Sequence, residues 1–177
     1  MAASIIQNMD DFYYHRTENK TCSNSTQHFH SGFEVYYMKE GKCHYFINDS
    51  AFDIVSGDII LIPEGTLHGT SYGSKPCTRL LINLQSDFIA PEILEGIKKI
   101  GYLYRNPDSI PAINSIFTRI EYEYNHGDSI SRAALKAHVE ALFMVIIRNQ
   151  GTKIVQDRNT IVEAAIRYIQ HLSLIHI

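Results

Sequence analysis

The sequence has few cysteines and lacks the common nucleotide-binding and nucleophile motifs, and these absences exclude several classes of protein. Its three cysteines, Cys22, Cys43 and Cys77, are odd in number and widely spaced, which argues against a disulfide framework or a zinc knuckle. Because free cysteine behaves as a small apolar side chain, we expect three reduced, buried thiols in a cytoplasmic protein. No CxxC pair, glycine-rich phosphate loop or serine nucleophile elbow occurs.

The chain also lacks an excess of positive charge and any long apolar run. Its 177 residues include 16 Lys and Arg against 19 Asp and Glu, for a formal net charge of −3. The chain as given is therefore predicted to be a poor binder of nucleic acid, since few cations are available to neutralise phosphates. No uncharged apolar run is long enough to span a membrane. The N-terminus does not have the basic and apolar regions of a signal peptide.

What the sequence does contain, up to about residue 107, is a series of short β-type runs separated by turn residues. Several are rich in β-branched and aromatic residues, and the run IILI is apolar on both faces, as expected of a strand covered on both sides. The runs lie at 12–15, 20–22, 34–39, 42–47, 51–55, 59–62 and 78–84. About seven or eight strands at intervals of about ten residues predict an antiparallel barrel or sandwich.

From residue 108 onward, apolar residues recur at three- and four-residue steps, which is typical of helices. A first helix is predicted after Asp108 or Ser109, with Pro111 in its first turn and its end at Gly127. A further helix is predicted from Thr160, in a segment that reads TIVEAAIRYIQHL and begins with a capping box.

Between them, a second helix is predicted from about residue 128 to residue 148, and its last part, VEALFMVII, is apolar nearly all round. One apolar stripe is enough to dock a helix, whereas a helix that is apolar on every side needs a second surface. Two arrangements remain open: this helix forms a subunit interface, or it lies between the barrel and its neighbouring helix. In the first arrangement, the predicted dimer interface comprises Leu135, His138, Leu142, Val145 and Ile146.

Four polar residues have a spacing that suits a metal centre. Alternate residues of a strand share a face, so His28 and His30 point the same way. Glu34 joins them unless a bulge near residues 31–32 re-aims it, and His68 returns from a later turn. Three imidazoles and one carboxylate suit a divalent transition metal such as Zn, Fe, Mn or Ni, with open positions for another ligand.

These residues carry a resemblance to a known superfamily. His28-x-His30-x3-Glu34-x6-Gly41 and Gly57-x5-Pro63-x-Gly65-x2-His68 resemble the two cupin motifs, with a full match at the four metal positions. The end of the second motif departs from the pattern, because Tyr72 stands where the family often has Asn. The resemblance implies a mainly β fold with C-terminal α structure: a cupin, or jelly-roll, β-barrel followed by two to three α-helices. Cupins use these four residues to bind a metal or only to line a pocket.

The wider pattern, a short cupin followed by helices, resembles transcriptional regulators of the AraC/XylS family from about residue 10 to residue 171. The resemblance implies a cupin effector-binding domain at 1–107 and linker or dimerisation helices at 108–150. It also implies that 159–171 is the first helix of a DNA-binding helix-turn-helix domain. The rest of that domain is missing from this chain, so DNA binding is assigned to no residue present.

The last six residues, 172–177, read LSLIHI, which is the translation of a transposon end sequence used to prepare sequencing libraries. We therefore expect these residues to be an adapter artefact and the gene to continue. A stop codon directly after Ile177 in the source genome would contradict this expectation.

The predicted effector is a sugar-like or other small molecule, bound inside the cupin barrel of a cytoplasmic homodimer. Tyr36 and Met38 share the parity of Glu34, and Arg79 on a late strand could anchor a carboxylate or sugar hydroxyls. Sheet packing is the alternative interpretation of these three residues. The predicted effector-binding residues are His28, His30, Glu34, Tyr36, Met38, His68 and Arg79.

Two functions remain open from the sequence. The first is the sensor part of a transcriptional regulator, which has no catalytic residues. The second is a small metal-dependent cupin enzyme, a dioxygenase or isomerase, in which the metal polarises a carbonyl or activates dioxygen. We favour the sensor, because such enzymes do not need the trailing helices.

Overall fold

The computed structural model describes residues 11–23 and 25–149, in which eight strands and three α-helices form. The strands are β1 Phe12–Lys20, β2 Phe33–Glu40, β3 Lys42–Ile47, β4 Ser50–Val55, β5 Ile59–Ile62, β6 His68–Tyr72, β7 Cys77–Leu84 and β8 Leu103–Tyr104. The helices are α1 Pro91–Lys98, α2 Ile110–His126 and α3 Ser131–Arg148, with 3₁₀ turns at Ser86–Phe88 and Pro107–Ser109. The predicted DNA-binding stub at 159–171 and the proposed artefact at 172–177 lie outside the described residues.

The strands form two antiparallel sheets, which confirms the predicted fold class of a mainly β domain followed by helices. The larger sheet has the strand order β1-β7-β2-β5-β8, and the smaller one has the order β4-β3-β6. Buried side chains from both sheets, among them Met38, Tyr45 and Ile60, pack into one apolar cluster. The sheets therefore face each other and enclose the interior of a small barrel.

Strand β2 explains how one strand supplies both the site and the support for the helices. Alternate side chains of a strand point to opposite faces. Phe33 and Tyr37 lie in the apolar core beneath the helices, whereas Tyr36 and Met38 lie between the sheets. Tyr37 stacks on Phe117 of α2, with ring centroids 4.9 Å apart. Every residue from Phe33 to Met38 is consequently buried.

Helix α3 lies against α2, α1 and the outer face of the larger sheet. Leu135, Leu142 and Ile146 have no exposed surface and belong to the core of the protomer itself. Assigning these three residues to a subunit interface was therefore wrong, and the second arrangement, a helix covered within its own chain, is the one observed for them. Val145 is half-buried against the same core, and His138 is half-buried.

Glycines at two turns have backbone conformations that other residues rarely adopt. Gly41, between β2 and β3, has φ +93°, and a Cβ there would lie 2.6 Å from the Cβ of Cys77. Gly57, between β4 and β5, has φ +95°. Both are motif glycines, and both allow the chain to reverse where a side chain would be strained.

Cys43 and Cys77 are buried, as expected, but Cys22 is exposed. The prediction of three buried thiols is therefore wrong for Cys22, which lies in the segment between β1 and β2. Within the described part of the chain, no helix is long and apolar enough to cross a membrane.

An ion pair joins the barrel to the segment that leads into α2. The Arg105 guanidinium donates through Nε to Asp58 Oδ1 at 2.6 Å and through a terminal nitrogen to Asp58 Oδ2 at 2.5 Å. Asp58 is 1% exposed and also accepts from the backbone N–H of Val55 at 2.8 Å. The pair fixes the β4–β5 turn against the chain that follows β8.

Replacing Arg105 by alanine is expected to lower the free energy of unfolding by about 2 kcal/mol, because it leaves a buried carboxylate without its cation. This is less than for a fully buried pair, since 36% of the Arg105 side chain is exposed. Urea titration followed by circular dichroism measures the change. The matched control is Arg119→Ala on the exposed face of α2, expected to change stability by less than about 0.5 kcal/mol. Equal effects in the two variants would contradict a stabilising role for the pair.

Candidate functional site

The three predicted histidines meet at one end of the barrel interior. His28 and His68 form an isolated antiparallel bridge, with reciprocal N–H to O bonds of 2.9 Å. His30 follows two residues later, and its carbonyl accepts from the N–H of Gly65 at 2.9 Å. Their ligating nitrogen atoms all lie within 4.8 Å of one another. The structure therefore brings together the three histidines of the two motifs.

Each imidazole is oriented by a backbone carbonyl two residues away in the chain. Nδ1 of His28, His30 and His68 lies 3.0, 2.9 and 2.8 Å from the carbonyl oxygens of Thr26, Gly32 and Thr66 respectively. A carbonyl oxygen only accepts, so Nδ1 must donate in all three rings. The lone pair of each neutral ring then lies on Nε2, as in histidines that bind metal through Nε2.

Glu34 completes the cluster from β2. Its Oε2 lies 3.1 Å from Nε2 of His30 and 3.6 Å from Nε2 of His68. Its Oε1 accepts a hydrogen bond of 2.7 Å from the hydroxyl of Tyr45. Glu34 is only 4% exposed, so a carboxylate at this position requires the partners that surround it.

The pKa values of Glu34 and His68 are both shifted by the contact between the carboxylate and the imidazoles. Burial opposes ionisation of Glu34, but the adjacent imidazoles of His30 and His68 and the hydrogen bond from Tyr45 outweigh it and lower the pKa of the carboxyl to about 2. Burial also opposes the charged form of His68, but Glu34 and the Thr66 carbonyl outweigh it and raise the pKa of that imidazole. The carboxylate is therefore the ionised form at neutral pH, and it favours positive charge beside it.

The donor set fits a divalent transition metal. Nε2 of His68 is buried without a hydrogen-bond partner, and unsatisfied buried nitrogen atoms are rare in folded proteins. Both ring nitrogens of His30 face acceptors, so a proton or a cation must lie between its Nε2 and Glu34. Three nitrogen donors and one carboxylate oxygen are ligands that zinc, iron, manganese and nickel accept.

The cluster opens into a cavity of about 400 Å³ between the two sheets, a size suited to a small-molecule ligand. Tyr36 and Arg79, both predicted, line this cavity. Met38 does not line it and lies fully buried in the apolar cluster between the sheets. The remaining lining residues are Tyr13, His15, Lys20, Ser25, His28, His30, Glu34, Tyr45, His68, Gly69, Thr70, Tyr72, Leu81 and Asn83.

Sequence reasoning missed several of these residues. Tyr45 was not singled out, although it lies two residues from Cys43 and Ile47 on β3, and all three are buried between the sheets. That parity was the available signal. His15, an exposed residue of β1 without a partner at metal-ligand spacing in the sequence, also lines the cavity. The sequence does not show which alternate residues of β1 face the cavity, because both faces of this edge strand carry polar residues.

Solved structures with partial similarity have low sequence identity. DMSP lyase DddQ from Ruegeria pomeroyi is 18% identical over 44% of this chain and 40% of that one, with a TM-score of 0.40. A cupin superfamily protein from Desulfitobacterium hafniense is 18% identical, and the match covers 45% of this chain and 72% of that one, with a TM-score of 0.41. The polyketide cyclase RemF from Streptomyces resistomycificus is 24% identical, and the match covers 44% of this chain and 56% of that one, with a TM-score of 0.39.

The matched part of this chain corresponds to less than half of the lyase. Comparison with curated protein sequences gives no significant match. The family comparison is more extensive, because the model of the AraC-like ligand binding domain matches residues 12–143. That range covers both sheets and α2, and it ends within α3. The chain therefore belongs to the family of AraC-like ligand binding domains.

Proposed function

We propose that this chain is the effector-binding part of a transcriptional regulator of the AraC type. The observation that carries the proposal is a cavity of about 400 Å³ inside a domain of this family, with a polar cluster at one end. The rest of the cavity wall supplies tyrosine rings for packing and hydroxyls for hydrogen bonds. Aromatic rings that pack on a ligand, with polar groups that fix its orientation, are typical of small-molecule sites.

The cluster would also hold a divalent cation, bound by Nε2 of His28, His30 and His68 and by Oε2 of Glu34. When bound, it would supply a positive charge to which an oxygen atom of the effector can attach. Tyr45 holds Glu34 in place through its 2.7 Å hydrogen bond. The backbone carbonyls at Nδ1 keep the three rings turned toward the same point.

Strand β2 offers a route from the cavity to the helices. Glu34 and Tyr36 line the cavity, and Tyr37 on the opposite face stacks on Phe117 and donates to Asn114 Oδ1 at 2.9 Å. A ligand that favours one position of β2 would therefore favour one position of α2. Effector binding and helix orientation are coupled in this way if the ligand has different affinities for the two states.

The dimer and DNA partners belong to the same proposal. The regulator would be a cytoplasmic homodimer, with DNA bound through a helix-turn-helix domain whose first helix would be formed by residues 159–171. Because Leu135, Leu142 and Ile146 are buried within the protomer, the dimer contact must use other residues. Met144 is 39% exposed on α3, and Ala133 and Ala137 are exposed on the same helix, so they are the candidates for this contact.

A metal-dependent enzyme is the second candidate. The observation that favours it is the set of three imidazoles whose ligating nitrogen atoms lie within 4.8 Å of one another, beside a carboxylate. The sensor is favoured because β2 joins this cluster directly to a helical layer that a small enzyme would not need.

The two functions differ in what becomes of a bound compound. We expect a compound that stabilises the zinc-loaded chain in a thermal-shift screen of sugars and small organic acids to be recovered unchanged after prolonged incubation, because a sensor releases what it binds. Mass spectrometry of the supernatant measures this, with protein-free zinc solution as the control. Conversion to a product at more than one equivalent per protein would overturn the sensor in favour of the enzyme.

A further inference from the structure

Arg79 differs from the other half-buried arginines of the described chain. Arg16 pairs with Glu18 and Glu121, and Arg105 pairs with Asp58. Arg79 takes part in none of the ion pairs formed by the described residues. Its Nε is buried and has no hydrogen-bond partner. A buried guanidinium nitrogen without an acceptor is unfavourable, and an anionic ligand in the cavity would supply one.

The surroundings of Arg79 are cationic and aromatic. Its guanidinium carbon lies 5.7 Å from the ring centroid of Tyr36, and the Lys20 ammonium lies 5.9 Å from the ring centroid of Tyr72. The hydroxyls of the two tyrosines are 3.3 Å apart. All four side chains line the cavity. This end of the cavity therefore offers two positive charges and two hydroxyl groups to a ligand.

The single carboxylate of the cavity wall does not neutralise these cations. Glu34 already accepts from Tyr45 and contacts His30 and His68. In the register of the larger sheet, Glu34 pairs with Asn83, which is four residues from Arg79. That separation is about 13 Å along the strand. Burial, and the Arg79 charge nearby, lower the pKa of the His15 imidazole on the same cavity wall.

From this arrangement we infer that the cavity takes a small organic acid, with its carboxylate bound by Arg79 and Lys20 and a second oxygen donor directed toward the histidine cluster. The inference rests on the proposed function and names the class of effector. A neutral sugar would fill the space but leave both cations without a counter-charge. An organic anion satisfies Arg79 by a charge-assisted, two-pronged hydrogen bond, which is the geometry that guanidinium favours.

The test uses malonate, succinate and glutarate as probes of different length, and malonamide, succinamide and glutaramide as neutral counterparts of the same shape. Isothermal titration calorimetry on the zinc-loaded chain is expected to show at least one dicarboxylate that binds at least about 30-fold more tightly than its diamide, as expected for a desolvated charge pair. Equal affinity for the acid and the amide, or no binding of any dicarboxylate, would overturn the inference. Inorganic phosphate binding as tightly as the best dicarboxylate would overturn the organic-acid assignment.

Three variants locate the contact. Arg79→Gln is expected to weaken binding of the preferred dicarboxylate by at least about 30-fold, and Lys20→Gln by about 10-fold, because an ammonium binds as a single point charge. Arg119→Gln, on the exposed face of α2, is expected to leave the affinity unchanged. If Arg79→Gln fails to fold, Lys20→Gln, at the end of an edge strand, still tests the charge requirement. Undiminished binding in either cavity variant would place the anion elsewhere.

Failure of this inference can be distinguished from failure of the proposed function. A neutral sugar that binds in the cavity, loses affinity in His68→Ala and is unaffected by Arg79→Gln would overturn the organic acid and keep the sensor. A dicarboxylate that depends on Arg79 and is converted to a product would keep the ligand class and overturn the sensor.

Discussion

Replacing Leu142 by aspartate is expected to abolish cooperative folding of the chain. Leu142 has no exposed surface and lies in the core formed by α3, α2 and the outer face of the larger sheet. Removing a buried leucine side chain costs about 2–5 kcal/mol, and burying a carboxylate without a partner adds several more. A sum of that size is comparable to the entire stability of a typical domain, about 5–15 kcal/mol. Circular dichroism and urea titration measure the loss.

The matched control lies two residues away on the same helix. Met144 is 39% exposed, so Met144→Asp is expected to change the free energy of unfolding by less than about 1 kcal/mol. Sedimentation of this variant also tests whether the exposed side of α3 forms the dimer contact. A folded, monomeric Leu142→Asp protein would contradict the core assignment and return Leu142 to a subunit interface.

Replacing His68 by alanine is expected to weaken binding of zinc or nickel by more than about 100-fold, since loss of an outer-shell partner alone costs 10–100-fold. His68 is 1% exposed, and its Nε2 lacks a hydrogen-bond partner. Without it, two of the three imidazoles of the cluster, those of His28 and His30, remain. Calorimetric titration of the metal-free chain measures the affinity and the stoichiometry.

The control for this experiment is His44→Ala. His44 is exposed on β3 and contacts the side chain of Asp53 at 2.6 Å, so it offers an alternative exposed histidine and carboxylate pair. We expect this variant to bind one equivalent of metal with unchanged affinity. If His44→Ala lost the metal and His68→Ala retained it, the site would lie on the surface and not in the barrel.

Much of the fold could be predicted because strands and their turns leave local signals. The runs at 42–47 and 59–62 correspond to β3 and β5 without change. The weak run at 12–15 lies within β1, whereas the run at 20–22 overlaps that strand only at Lys20. No local pattern shows that an edge strand continues through polar residues, because its pairing with β7 is formed by residues far along the chain.

Helix α1 and strand β6 were not predicted. Helix α1 spans only eight residues, too few for its apolar repeat to be distinguished from that of a loop. Strand β6 reads HGTSY, and its glycine and serine weaken any β signal. It forms because β3 pairs with it, placing Phe46 opposite Gly69. Both elements depend on contacts that are distant in sequence.

The candidate site was predicted better than its surroundings, because metal-ligand spacing is written in the sequence. His28, His30 and His68 converge as expected, whereas Met38 and Arg79, both assigned to the pocket, have different positions relative to it. Met38 and Arg79 are register partners on β2 and β7. The longer, charged side chain lines the cavity, while the apolar one fills the core between the sheets. The sequence pattern alone could not show which of these two side chains lines the cavity.

The apolar helix α3 shows a second limit of prediction from sequence. A helix that is apolar nearly all round needs two covering surfaces, but the sequence does not reveal whether the second surface belongs to the same chain. Here the outer face of the larger sheet covers it, through contacts such as Phe33 with Phe143 at 5.8 Å between ring centroids. Of the two arrangements that the sequence leaves open, burial within the same chain is the one observed for Leu135, Leu142 and Ile146.

The central claim is that three imidazoles and one carboxylate form a single metal centre inside the barrel. An anomalous difference map from crystals grown with zinc tests it directly. The account predicts one strong peak bound by Nε2 of His28, His30 and His68, with Oε2 of Glu34 beside it. A barrel without an anomalous peak, or a peak only at surface pairs such as His44 with Asp53 or His126 with Asp128, would contradict it.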